Sequence, residues 1–411
     1  MRHLGSSRDM SAFPPRFRGH ITAAAATASI LCAALTVHAQ EAPQDEDADS
    51  LGLRRGSYVI LPSLEIGAGY TDNVARAPGP SQSGSVTEIA PSLSIYSDWT
   101  RHALNIDVSG VQTAYDGDFD TFNGSFDADV EGRLDIRSRT SLALRAGYGL
   151  EVGSGIKDHA TSLEAELSHR FNRVSLSLRG GLDRFDYGED RAGFLEAVDT
   201  AVSDYTEYRG ALRMSYEVSP LTSAFVEGGI NRRDHGPAID DAGFARGSDG
   251  YETAVGVSLS NGSKLSGEVS VGYQVQRPDD PGLSRVAGWT LDGTLSWQAT
   301  ALTKVAIETE TEFGETTLAG SAGYVDRSIG LNVEHALGRH ILLYGDLTYT
   351  RSDFAGTTLI EETTEASIGM EYLLNRNLVL TADATHLRFD STTAGQNYRA
   401  NTVTLGMRIQ H

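Results

Sequence analysis

Only one cysteine occurs in the 411 residues, Cys32, and it lies inside a segment that reads as an export signal. The mature chain is therefore expected to carry no disulfide, no thiol nucleophile and no Cys-based zinc site. Leu31 also excludes a lipoprotein anchor, because the residue before such a cysteine must be small. Lysine is nearly absent, with Lys157, Lys264 and Lys304 the only ones, so basic charge is almost wholly arginine. A net charge of -21 argues against a nucleic-acid partner, whose phosphates need clustered positive charge. After residue 50 no run approaches the roughly 18 apolar residues that a spanning helix requires. If the chain enters a membrane, it enters as strands. Gly-rich phosphate loops and His pairs at metal-ligand spacing are missing too, so neither cofactor nor metal is expected.

What is present begins with an export signal. Arg16 and Arg18 form a positive n-region long enough that Met10 is an alternative start. Residues 21–37 form a short Ala-rich apolar core, and Val37-His38-Ala39 precedes Gln40 as a cleavage site. Residues 1–39 are thus read as a removed signal peptide rather than a retained anchor. Their loss takes away four Arg and one Asp, which leaves the mature charge at about -24. Residues 40–56, with the run Asp45-Glu46-Asp47-Ala48-Asp49, cannot bury a core and read as an acidic periplasmic leader.

From residue 57 to 411 the dominant period is two. Phe126, Ala128, Val130, Gly132, Leu134 and Ile136 alternate with Asp127, Asp129, Glu131, Arg133 and Asp135. A strand sends these two sets to opposite faces, whereas a helix would mix them. The same stripe recurs, for instance as Leu142-Leu144-Ala146-Tyr148-Leu150, Tyr251-Thr253-Val255-Val257-Leu259 and Val403-Leu405-Met407-Ile409. Eight short turns, such as 137–140, 171–173 and 300–302, alternate with nine longer polar connections. The latter lie at 71–84, 116–123, 152–160, 186–203, 231–248, 276–285, 314–322, 351–360 and 390–397. Short periplasmic turns alternating with longer outer loops mark a transmembrane antiparallel β-barrel. The expected fold is all-β, with about 18 strands, or 16 if one weak pair merges. A soluble propeller or sandwich would lack that alternation of connections. Tyr70, Tyr96, Trp99, Tyr115, Tyr148, Phe171, Tyr216, Tyr273, Phe313, Tyr349 and Tyr372 stand near strand ends, where amphipathic rings suit a membrane interface. Inward ones such as Tyr96 could instead stack on a sugar.

Two segments are more distinctive than any pattern. Gly56-Ser57-Tyr58-Val59-Ile60-Leu61-Pro62-Ser63-Leu64 runs into Gly69-Tyr70-Thr71-Asp72-Asn73-Val74, and Ile89-Ala90-Pro91-Ser92-Leu93-Ser94-Ile95-Tyr96-Ser97-Asp98-Trp99-Thr100-Arg101-His102 follows. Together they resemble a porin-like outer-membrane β-barrel family of proteobacteria, often associated with exopolysaccharide production. The resemblance rests on Pro62, Tyr70, Asp72, Asn73, Pro91, Asp98 and Trp99, and implies no catalytic residue. It implies outer-membrane lipid and lipopolysaccharide around the barrel, the barrel-assembly machinery and polysaccharide export components as partners. Pro62 and Pro91 each remove a ladder donor and are expected at a strand start or a bulge. Asp72-Asn73 reads as turn chemistry. Such barrels commonly end in an aromatic residue, whereas this chain ends Arg408-Ile409-Gln410-His411.

Chemistry is weakly represented. His102, His169, His335 and His340 lie near short turns, and His386 near an outer loop close to Asp383 and Asp390, without a serine partner. Asp116-Gly117-Asp118-Phe119-Asp120 resembles the start of a calcium loop, but Thr121 holds the position that needs Gly. The lumen is the better lead. Asp127, Asp129, Glu131, Asp135, Glu164, Glu166, Glu308, Glu310 and Glu312 are expected to face inward, with Arg133, Arg145, Arg170, Arg179, Arg209 and Arg213. Carboxylate rows favour cations, and opposed arginines set up a transverse field; alternatively these charges pair across strands and stiffen the wall. The expected function is a porin-like channel or conduit for polar solutes, an exopolysaccharide among the candidates. The alternatives are a non-conducting structural or surface-binding barrel and, last, a hydrolase.

Overall fold

The computed structural model describes residues 52–117, 123–153, 156–187, 204–236, 239–240, 243–259, 264–316, 318 and 320–411. The expected signal peptide, most of the acidic leader and the core of the calcium-like loop lie outside the described residues. A short strand, β1 (Leu53–Arg55), precedes β2 (Tyr58–Thr71), β3 (Gly84–Ser97), β4 (Ala103–Tyr115), β5 (Gly124–Arg137), β6 (Thr140–Gly153) and β7 (Ile156–Phe171). Next come β8 (Val174–Asp186), β9 (Tyr205–Ser219), β10 (Thr222–His235), β11 (Ser248–Leu259), β12 (Leu265–Pro278) and β13 (Val286–Thr300). The chain ends with β14 (Thr303–Gly314), β15 (Tyr324–Ala336), β16 (Ile341–Phe354), β17 (Ile360–Asn375), β18 (Leu378–Ser391) and β19 (Tyr398–Gln410).

Each strand from β2 onward pairs antiparallel with its sequence neighbour, and β19 returns to β2 from Thr402↔Thr71 to Gln410↔Ser63. The result is a closed barrel of eighteen strands, with β1 an added hairpin arm on β2. Closure satisfies the ladder groups that an open sheet would leave bare in hydrocarbon. Two-residue turns such as Asn172-Arg173 close the periplasmic end, and Asn172 takes φ 54°, the left-handed geometry that matches hairpin twist. The strands run 12 to 16 residues, more than the about 9–11 that cross a bilayer, so their ends project beyond it.

Register settles which face is which. Cross-strand pairs share a face, and Phe126↔Leu150, Leu150↔His159 and Leu142↔Leu167 carry the apolar stripe of β5 onto β6 and β7. Large exposed apolar side chains such as Val130, Leu163, Leu178, Val255, Ile368 and Leu405 continue it around the cylinder. On the opposite face Arg213 of β9 reaches Glu268 of β12 at 2.5 Å, three strands away. Side chains three strands apart converge only on the concave side, so the charged face is the lumen.

Three local expectations are corrected. Residues 152–160 are not a long loop: β6 runs to Gly153 and β7 begins at Ile156, so both strands extend beyond the membrane instead. Pro62 and Pro91 mark neither a strand start nor a register shift. Pro62 lies where the flank of β2 passes from β1, paired up to Ile60, to β19, paired from Ser63, and its carbonyl accepts from the His411 amide at 3.2 Å. Pairing of β3 with β4 skips Ala90 and Pro91 without changing register. Each proline thus occupies a gap where no donor is asked for. Among the aromatics near strand ends, Tyr96 faces the lumen as its alternation expects, whereas Tyr115 also turns inward and Phe313 is buried with Val286 and Val325 at the outer end instead of joining a girdle. Tyr70, Tyr148, Phe171, Tyr216, Tyr273, Tyr349 and Tyr372 stay on the exposed apolar face. Trp99 packs edge-on against Tyr58 at 5.7 Å.

Candidate functional site

The residues of the two distinctive segments gather at the closing seam. Asp72 accepts from the Asn401 backbone at 2.7 Å and from its side-chain nitrogen at 2.5 Å. Asn73, only 3% exposed, donates to the carbonyls of Arg399 at 2.9 Å and Ala77 at 3.3 Å. At the periplasmic end Asp98 meets Arg54 of β1 at 3.3 Å. The Asp72-Asn73 pair is therefore more than turn chemistry, since it clasps the outer end of β19 to β2. Asn401 hydrogen bonds hold the Asp72 carboxyl below the ordinary carboxylate range. A depressed folded value means the clasp contributes above the unfolded value and is lost as pH falls through the folded one. Asn73→Ala removes two buried bonds and is expected to cost about 1–3 kcal/mol of barrel stability. The temperature at which the folded band converts to the unfolded band on a denaturing gel should fall; an unchanged conversion temperature would refute the clasp.

On the lumen wall from β5 to β12 the charges form a chain. Glu131 approaches Arg145 at 3.9 Å, and Arg145 also bonds Glu164. Arg179 lies 3.9 Å from Glu164, 3.3 Å from Glu166 and 3.5 Å from Glu227. Arg213 completes the chain with Glu227 at 3.6 Å and Glu268 at 2.5 Å, its guanidinium 3.4 Å from the ring centre of Phe225. Asp183 and Arg209 pair beside it at 2.6 Å. Asp127 and Asp129 share this face on β5, while Arg133 and Asp135 pair at 3.0 Å near its periplasmic end. The wall-stiffening reading thus applies to this arc.

The wall from β13 to β18 differs in kind. Asp292, Glu308, Glu310, Glu312, Asp326, Asp346, Glu361 and Asp383 all take lumen positions there. Those strands place no arginine on the lumen face and one lysine, Lys304; the next inward arginine is Arg408 on β19, held by Glu371 at 2.7 Å. Glu312 stands directly opposite Asp326 in register, two acidic side chains on one face. Among the described residues no group of three or more His, Cys, Asp or Glu is arranged to hold a metal ion.

Above this lumen the outer mouth is bridged. Arg233 of β10, 6% exposed, binds Glu207 at 3.3 Å and Glu315 at 2.7 Å, and donates to the Phe313 carbonyl at 2.8 Å. The Glu315 carboxylate also lies 3.7 Å from His235. Arg246, in the connection before β11, pairs with Asp240 at 2.7 Å and donates to the carbonyls of Thr316 and Ser321, each at 2.7 Å. Ala245 donates to Asp280 and Ala355 to Gly323, so connections from β10 to β17 are tied together. Aromatic pairs, each with at least one buried ring, lie near the same ends, Phe185–Tyr205 at 4.7 Å, Tyr324–Phe354 at 5.2 Å and Phe389–Tyr398 at 5.1 Å.

Strand alternation could have revealed Glu227, Glu268 and Arg233, the last of them two residues beyond Asn231 on the inward face of β10, but Arg246, Glu315 and Asp240 act through loop conformation and leave no periodic trace. His386 faces outward and bonds Asn401 at 2.7 Å, whereas Asp383 faces inward to Tyr344, so the two are on opposite sides of the wall. The neighbouring outward positions on that strand are Ala384 and Arg388, neither a nucleophile.

Residues 47–411 match the family model described as Putative beta-barrel porin 2. No curated protein matches the sequence. Similar solved structures include the outer membrane protein opdK from Pseudomonas aeruginosa, 12% identical over 86% of this chain and 99% of that chain, with a TM-score of 0.45. A BenF-like porin from Pseudomonas fluorescens Pf-5 is 12% identical over 87% of this chain and 99% of its own, with a TM-score of 0.45. The siderophore receptor PirA from Pseudomonas aeruginosa is 10% identical over 88% of this chain and 81% of its own, with a TM-score of 0.41.

Proposed function

The chain belongs to the putative beta-barrel porin 2 family and is a porin-like barrel of the outer membrane, and from that premise we propose that it passes small polar solutes passively with a preference for cations. The observation that carries this reading is the asymmetry of the lumen. One arc holds arginines locked among glutamates, and the facing arc presents carboxylates with hardly a counter-charge. A cation entering such a pore meets fixed negative charge on one side and a bound charge lattice on the other, which favours entry and turns dipolar solutes across the path. Contacts stay shallow because they are many and wet, as conduction requires.

The bridged mouth favours small solutes over an exopolysaccharide chain, since the Arg233 and Arg246 contacts draw the outer connections together where a polymer would need room. A non-conducting barrel that uses its loops for surface binding is separated by one measurement. Purified protein in planar bilayers under a salt gradient should give ohmic steps and a reversal potential on the cation side. Silence, or anion preference, would defeat the proposal.

A further inference from the structure

The outward face carries a sequence repeat at one height that the channel does not use. Arg184-Phe185-Asp186, Arg232-Arg233-Asp234, Arg277-Pro278-Asp279, Arg351-Ser352-Asp353 and Arg388-Phe389-Asp390 close the outer ends of five outgoing strands, β8, β10, β12, β16 and β18. (Arg133-Leu134-Asp135 repeats the pattern on the lumen face at the other end.) In four of the five the arginine Nε donates to its own Asp two residues on, at 2.9, 2.8, 3.3 and 2.5 Å. That bond ties the guanidinium to its own strand end; in Arg184 and Arg351 one terminal nitrogen joins it, at 2.7 and 3.1 Å, while in Arg232 both terminal nitrogens reach beyond their own strand. Arg232 uses them on Asp279 at 2.8 and 2.7 Å, and Arg351 uses one on Glu362 at 2.9 Å.

Height follows from register. Arg351 lies one outward position beyond Tyr349 of the aromatic girdle, in strands that overrun the hydrocarbon thickness. The repeat therefore stands at the level of the outer-leaflet head groups. Two arginine pairs are directly opposed across strands there, Arg327↔Arg351 and Arg388↔Arg399. Like charges so placed are destabilising unless an anion lies between them. Asp353 supplies that anion to the first pair, at 3.1 Å from Arg327 and 3.1 Å from Arg351. At the second pair Asp390 engages Arg388 at 2.5 Å, and no carboxylate among the described residues engages Arg399.

We propose that Arg388 and Arg399 dock a phosphate of the phosphorylated glycolipid of the outer leaflet, with the other Arg-x-Asp ends making lesser contacts around the same rim. Phosphate suits the site because its oxygens accept two guanidinium forks at once, whereas Asp390, unlike Asp353 at the first pair, engages only one of the two arginines. A lipid suits it better than a dissolved ion because the acyl chains would lie along the apolar stripe immediately below, past Leu380, Val403 and Leu405. Docking there would tether the outer end of the closing seam, since Arg399 is the residue whose carbonyl Asn73 holds.

Binding of bis-phosphorylated lipid A to the detergent-solubilised full chain, read by native mass spectrometry, tests this against lipid A stripped of its phosphates. The phosphorylated form should bind about tenfold or more tightly, equivalent to about 1.4 kcal/mol. Arg388→Gln with Arg399→Gln should erase that difference while the protein keeps its heat-dependent gel shift, and Arg388→Lys with Arg399→Lys should restore part of it. Excess inorganic phosphate should leave the lipid complex intact. Equal binding of the two lipids by the wild-type chain, a retained preference in the Gln double variant, or displacement by inorganic phosphate would each overturn the proposal; the first and third need no variant to fold.

Discussion

Arg233→Ala is expected to open the outer mouth. The substitution leaves Glu207 and Glu315 facing each other without the charge between them and removes the donor to the Phe313 carbonyl. Breaking a buried ion pair from one side costs about 3–5 kcal/mol, because the remaining charge stays desolvated and unpaired. The barrel wall can absorb little of that, being held by continuous ladders, whereas the connection after β14 can move. The cost should therefore appear as release of residues around 315–323 rather than as collapse of the cylinder. Single-channel conductance should rise, and added protease should cut that connection in the variant but not in the wild type. Arg246→Ala should act in the same direction, since it frees the Thr316 and Ser321 carbonyls from their common donor. Glu315→Gln should do less, because Arg233 keeps Glu207. Unaltered conductance together with a protected loop in Arg233→Ala would show that the bridge does not hold the mouth.

Neutralising β14 by Glu308→Gln, Glu310→Gln and Glu312→Gln is expected to remove most of the cation preference. A unit charge at about 4 Å from an ion is worth about 1 kcal/mol even in a water-like medium. After screening by salt, losing three should lower the cation-over-anion ratio about fivefold or more, most clearly at low ionic strength. The same exchange at Asp127, Asp129 and Glu131 should do less, because Glu131 is engaged by Arg145 in the charge chain. Equal effects of the two triples, or no shift of reversal potential from either, would contradict a selectivity set by the sparsely compensated arc. Replacing the Glu312 carboxyl opposite Asp326 by an amide should at the same time leave stability unchanged or slightly raised.

Legibility varied with the kind of force involved. The alternation of Phe126 to Ile136 with Asp127 to Asp135 was enough to assign the faces of β5, and every stripe read from sequence falls on one side of the wall. Strand alternation also placed Glu164, Glu166, Arg179, Arg213, Glu308, Glu310 and Glu312 in the lumen. Connection lengths identified eighteen strands but misplaced outer boundaries at 152–160, and at 231–235 and 351–354, which belong to β10 and β16, because polar residues continue a strand that has already left the membrane. Polarity cannot tell a loop from a strand standing in water. Pro62 and Pro91 were misplaced for a related reason: a missing donor is visible in sequence, but the gap that tolerates it is made by strands distant in the chain.

Sequence alone thus determined the all-β membrane barrel, its inner and outer faces and its acidity, because each follows from a two-residue period that neighbours along the chain repeat. Only the tertiary structure decided which charges are spent on one another. Arg179 meets Glu227 and Arg233 meets Glu315 because closing the sheet curves separate strands onto a common concave surface, and the folding of connections across the mouth is likewise a property of the closed cylinder. Those pairings join residues far apart in order, and no local pattern encodes their meeting.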